Sequence, residues 1–130
     1  MDERFPVAVS AGSLRSADGV TMPHAWTDEG VSVEAPFTGA HLLHVAVAGC
    51  VLNDLYREAD RAGITINGVR VTASGAYDDE WSSTGIEYAV ALDSQLSDDQ
   101  MAELISAVDE VAEIPRAVRR GAEVVRGEHG

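Results

Sequence analysis

Hydrophobic and polar positions divide this chain into short alternating stretches and two longer stretches of helical character. Arg4 to Ser10 alternates weakly and reads as a first strand, with Pro6 pointing to an edge position because proline cannot donate to a ladder. Ala11 to Gly19 is rich in Gly, Ser and Asp and reads as a turn. Val20 to Trp26 and Val31 to Ala35 read as two further strands joined by the polar turn Thr27-Asp28-Glu29-Gly30. Val31 and Val33 share one face of the second of these, Ser32 and Glu34 the other.

Pro36 closes that strand, and Thr38 is placed to cap a helix running to about Ala62, with Gly63 as its stop. A helix of about 25 residues is roughly 37 Å long. Its first half is apolar all round, through Leu42, Leu43, Val45, Ala46, Val47, Ala48, Val51 and Leu52, which predicts burial on every side. Its second half turns amphipathic, with Asp54, Arg57, Glu58, Asp60 and Arg61 expected to face water.

Ile64 to Ala73 alternates well and predicts a strand with a bulge at Gly68. Ile86, Tyr88, Val90 and Leu92 mark its partner, and Asp78 to Thr84 is the hairpin loop between them. Ser97 and Gln100 form a capping box for a second helix with a stripe of Met101, Leu104, Ile105 and Val108. Val111 to Pro115 breaks it, and Pro115 suits the first turn of a short helix bearing Arg116, Arg119 and Arg120. Ala122 to Arg126 reads as a last short strand. The order of strands, buried helix, strands and helix predicts an α+β fold in one domain, residues 1–130.

Charge narrows the function. The net charge is -13, and the positive side is nine arginines with no lysine. Such a field repels nucleic acid and anionic lipid, so neither is an expected partner. The longest apolar run, Leu42 to Leu52, is too short to span a bilayer. Met1-Asp2-Glu3-Arg4 has neither the basic nor the apolar part of a secretory signal. One cysteine, Cys50, forms no intramolecular disulfide, which fits a reducing cytoplasm.

Any thiol chemistry starts from Cys50. A mid-helix cysteine among apolar residues packs as a small hydrophobe by default. No helix N-terminus of its own lowers the thiol pKa, and Asp54, at i+4, raises it. Arg57, at i+7, shares the face two turns away, so an activating cation is expected from another segment. His41 and His44, spaced i and i+3, could line a ligand cleft or cap the helix end. No HExxH pattern, second cysteine or nearby Glu completes a zinc set with them, and His24 and His129 add nothing by spacing. There is no Gly-x-Ser-x-Gly elbow, P-loop or dinucleotide fingerprint, and no metal or cofactor is expected.

Ala40-His41-Leu42-Leu43 leading to Ala46-Val47-Ala48-Gly49-Cys50-Val51 resembles the central-helix motif of the OsmC/Ohr family, the osmotically inducible and organic-hydroperoxide-resistance proteins. Ala59 to Ile64, then Val69-Arg70-Val71, is similar to its helix-to-strand passage, and Glu113-Ile114-Pro115-Arg116-Ala117-Val118 to its tail. The resemblance runs from about Val31 to Val125. It implies antiparallel sheets wrapped around a long buried central helix in an intertwined homodimer. It also implies a reactive thiol at Cys50 that attacks organic hydroperoxides and becomes a sulfenic acid. In typical members a second cysteine just before a proline then closes a disulfide; here that residue is Ile114. The hydroperoxide-resistance subgroup has a glutamate ten residues before the reactive cysteine, where this chain has Ala40. Arg15 is the nearest match to the arginine that stabilises the thiolate in that subgroup.

Three readings stand. The first is a one-cysteine, thiol-dependent peroxidase with Cys50 and Arg15 as catalytic residues, reduced by an external thiol. The second is a non-catalytic relative that binds a small apolar ligand near His41, His44 and Cys50 at a dimer interface. The third is a stress-associated scaffold without chemistry of its own.

Overall fold

A computed structural model describes residues 4–128, so the opening Met1-Asp2-Glu3 and His129 lie outside the described residues. The elements follow in the order β1 (Val7–Gly12), β2 (Val20–Met22), β3 (Val31–Glu34), α1 (Gly39–Arg61), β4 (Ile66–Tyr77), β5 (Ser83–Ser94), α2 (Asp98–Val111) and α3 (Glu113–Arg120). The strands form one antiparallel sheet in the order β2-β3-β1-β4-β5, not two separate hairpins.

β1 is therefore a middle strand and not an edge. Pro6 lies outside it, so its missing N–H breaks no ladder bond, and pairing with β4 begins at Val7↔Ala73. β2 is shorter than expected because it ends at Met22, immediately before Pro23. β4 is longer than its alternation suggested and carries the expected irregularity between Ile66 and Gly68. Ala122 to Arg126 is not a strand: α3 stops at Gly121, whose φ is 74°, and the segment beyond it is exposed and unpaired.

The inner face of β1 and β4 presents Val7, Val9, Ala11, Val69, Val71 and Ala73 to Ala48, Val51, Leu52, Leu55 and Ala59 of α1. Leu104, Val108 and Ala112 close the core from the α2 side. Ser10 and Ser32 are buried on the other face because the loop after β1 folds over them. The Ser16 amide donates to Ser10 Oγ at 2.8 Å, and Ser32 Oγ donates to the Asp18 carbonyl. That loop leaves β1 through Gly12, whose φ is 63°. A Cβ there would collide with the Asn67 carbonyl and lie 3.0 Å from the Tyr56 hydroxyl. Gly12→Ala is expected to cost about 1 kcal/mol or more, read as a lower melting temperature by circular dichroism. An unchanged melt would show that the turn tolerates a side chain.

α1 is capped as its sequence predicts: Thr38 Oγ1 accepts from the His41 amide, and the turn beyond it passes through Gly63 at φ 71°. It is not buried on every side. One side meets the sheet and another meets α2 and α3, while Leu42 remains 38% exposed and Ala46 is also exposed. One chain supplies too few layers to enclose the helix. Asp54 departs in the opposite sense: expected in water, it is 1% exposed. Among the described residues no helix is long and apolar enough to cross a membrane.

Candidate functional site

Cys50 is half-buried on an α1 face bordered by residues of β1 and β3 and by Ile114 at the start of α3. Helical spacing puts Asn53, Asp54 and Arg57 on the same face. The second contribution comes from the break between α2 and α3. Ala112, fully buried, takes an extended conformation (φ -60°, ψ 121°) and turns the chain so that Glu113 and Ile114 arrive over Cys50. A tie from β5 holds this corner: the Tyr88 hydroxyl donates to Asp109, which also receives Arg119 at 3.0 Å.

The result is a compact cluster. Cys50 Sγ lies 3.9 Å from Asp54 Oδ2 and 3.8 Å from Glu113 Oε2, near the outer limit for a thiol donor. Arg57 bridges the two carboxylates, 3.2 Å from Asp54 and 3.3 Å from Glu113. Burial pushes the Cys50 thiol pKa up; the backbone amide of Ile114 pulls it down, and Asp54 and Glu113 push it further up. The balance is upward, so Cys50 is a protonated thiol at neutral pH. Burial also raises the Asp54 carboxyl, against the pull of Arg57. Glu113 is held below the usual carboxylate range by backbone hydrogen bonding and by its contact with Asp54.

Beside the sulfur opens a pocket of about 480 Å³ with predominantly apolar walls. Val9, Val33, Val45, Leu52 and Ile114 line it together with Cys50, and His24 and Asn53 are its polar members. The Thr27 hydroxyl donates to the Gly30 carbonyl, so it accepts the His24 Nδ1–H at 2.8 Å. His24 Nε2 is left buried without a hydrogen-bond partner. Burial lowers the His24 pKa, offset in part by the neighbouring Asn53 side chain, which favours the charged ring.

The other residues singled out in the sequence lie elsewhere. His41 hydrogen-bonds with Thr38 and packs edge-on against Phe5. His44 is fully buried, donates from Nδ1 to the Phe5 carbonyl at 2.9 Å and stacks on Tyr77. Gly75 makes room for that ring, since a Cβ there would sit 3.0 Å from His44 Nε2. Neither histidine lines the Cys50 pocket, and they do not converge on a shared ligand position. Arg15 donates to Thr21 Oγ1 at 2.7 Å and is not among the pocket residues either; the cation at the cluster is Arg57. Sequence spacing pointed to Asp54 and Arg57 but not to Glu113, which is 63 residues from Cys50. His24 carried no spacing signal at all.

Comparison with known proteins completes the picture. No curated protein sequence matches the chain. Among solved structures, an OsmC-like hydroperoxide resistance protein from Jannaschia sp. CCS1 superposes with a TM-score of 0.51. It is 14% identical, with 98% of this chain and 97% of that chain covered, a likeness of fold. The sequence profile of the OsmC-like proteins matches residues 33–125, from within β3 through α1 and the Cys50 cluster to just beyond α3. With its α+β sheet-and-helix fold and a family match over most of its length, the chain belongs to the OsmC-like protein family.

Proposed function

We propose that this chain is a single-domain, one-cysteine reductase of organic hydroperoxides that draws its electrons from an external thiol. The observation that carries this reading is the position of Cys50 Sγ. It sits on the wall of an apolar pocket and within reach of two carboxylates that can take its proton. An apolar wall suits the organic part of a hydroperoxide, and the sulfur is partly accessible. The thiolate attacks the distal peroxide oxygen, an alcohol leaves, and Cys50 becomes a sulfenic acid. Ile114 offers no second thiol, so an external thiol must condense with that sulfenic acid, and a second one releases the mixed disulfide. The reaction uses no metal or organic cofactor.

A homodimer is part of the same proposal. Phe37 is 91% exposed, Met22 53%, Ile114 39% and Leu42 38%, and these apolar groups lie around α1 and the pocket mouth. A second copy covering them would also close the pocket from water. The single cysteine suits a reducing cytoplasm.

The raised thiol pKa supports a second reading, in which the pocket holds a small apolar ligand without chemistry. One experiment separates the two. Wild type is mixed with cumene hydroperoxide, the sulfenic acid is trapped with a 1,3-dicarbonyl probe, and turnover is followed with several small thiols. The peroxidase reading expects adduct on Cys50, turnover that rises with pH because the thiol must ionise, and neither in Cys50→Ser. Equal rates for wild type and Cys50→Ser with every thiol would end it. A thermal shift by apolar ligands without turnover would then leave the binding reading in possession.

A further inference from the structure

In the OsmC/Ohr pattern the residue before the tail proline carries a second sulfur; in this chain the same corner brings a carboxylate to Cys50. Ile114 lines the pocket, and Glu113, one position earlier, puts Oε2 3.8 Å from Sγ. Asp54 puts Oδ2 at 3.9 Å beside it and is 1% exposed, and Arg57 holds both carboxylates. Glu113 comes from α3, whereas Asp54 and Arg57 come from α1, so the cluster exists only because α2 and α3 break at Ala112. The groups facing the sulfur are thus Asp54, Arg57, Glu113 and, across the pocket, His24, whose burial keeps it neutral.

A peroxide makes a specific demand on such a site. Its leaving group is an alkoxide, a strong base, and breaking the O–O bond is slow unless a proton arrives as the bond breaks. The thiol itself must lose a proton first. We propose that the Glu113–Asp54 pair is the acid–base group of Cys50, a proposal that rests on the peroxidase reading above. Asp54, the buried carboxylate of the pair and the more basic of the two, takes the thiol proton, with Glu113 sharing it inside the cluster. The thiolate forms a bond to the distal oxygen and the O–O bond breaks. The pair returns the proton to the alkoxide, giving the alcohol, and the distal oxygen keeps its own hydrogen in Cys50–SOH. Sulfur is oxidised by two electrons and the peroxide is reduced by two. Asp54 and Glu113 touch the reacting sulfur and are catalytic residues; Arg57 is a positioning residue that fixes both carboxylates.

The test compares two electrophiles that differ in this one demand. Iodoacetamide expels iodide, which needs no proton, whereas cumene hydroperoxide expels an alkoxide, which does. Both reactions are followed at Cys50 under single-turnover conditions across a pH series, for wild type, Glu113→Gln, Asp54→Asn and Cys50→Ser. Removing the Glu113 charge lowers the thiol pKa, so Glu113→Gln is expected to alkylate faster at neutral pH. It is expected to react with the hydroperoxide more slowly, by about 10²-fold. Asp54→Asn, close in shape for a buried site, is expected to split the two rates in the same sense. Rates that rise together would mean that the carboxylates act only through the thiol pKa. Rates that fall together would mean a structural role, and unchanged rates would mean no role; each of these overturns the proposal. If wild type itself reacts with hydroperoxide no faster than Cys50→Ser, the peroxidase reading fails instead, and the alkylation profile shows that the thiol was present and accessible.

Discussion

Ile114→Cys is expected to change the fate of oxidised Cys50 from an open sulfenic acid to a closed intramolecular disulfide. The backbone amide of Ile114 lies near enough to the Cys50 thiol to pull its pKa down, and the Ile114 side chain lines the same pocket. A thiol at position 114 therefore starts close to the sulfenic acid. Disulfide closure between neighbouring groups benefits from effective molarities that a small thiol in solution cannot match. With one equivalent of cumene hydroperoxide, wild type should give a product that a 1,3-dicarbonyl traps. The variant should give a product that resists the trap, loses two hydrogens by mass and regains them with a dithiol reductant. Asp54 and Glu113 stay in place in this variant, so the thiol keeps its proton acceptor. A sulfenic acid in the variant that persists as long as in wild type would mean that the corner holds residue 114 too far from Cys50, or too rigidly, for a disulfide to form.

Leu55→Ala is expected to be the most destabilising single change in the core. Leu55 is fully buried between the sheet and the helices, and it does not line the Cys50 pocket. Truncating such a leucine removes its buried methyl groups and leaves a cavity that the rigid sheet cannot collapse into, at a cost of about 2–5 kcal/mol. Whole domains are stable by only about 5–15 kcal/mol, so this is a large part of the total. The melting temperature, measured at matched protein concentration, should fall by roughly 10 °C or more. A fall of only one or two degrees would mean that α1 does not pack on β1 and β4 as described.

Much of the scaffold that carries Cys50 is written in local rules. Thr38 and Gly63 bound α1 within a residue or two because capping and a left-handed turn are decided by neighbours. Ser97 and Gln100 form the capping box for the same reason, and the irregularity at Gly68 follows from a local interruption of alternation. Strand edges were less legible. Pro6 suggested an edge, but a proline just outside a strand says nothing about the strand's neighbours, and β1 lies between β3 and β4. The valines near the C-terminus had β character but no ladder to join, so Ala122 to Arg126 stayed extended and exposed.

The site divides along the same line. Local order along the chain is enough to say that one thiol exists, that it lies on α1, that Asp54 and Arg57 share its face, and that no second thiol stands before Pro115. It could not determine what faces that sulfur from elsewhere. Asp54 reads as a solvated helix residue and is buried, because α3 crosses over it. His41 and His44 read as site residues, yet a helix turns by about 100° per residue, and that turn carries both rings away from the Cys50 pocket toward Phe5 and Tyr77. That Glu113 reaches Cys50 and that His24 lines the same pocket is settled in three dimensions, because the angle of the break at Ala112 and the course of the loop after β2 depend on long-range packing.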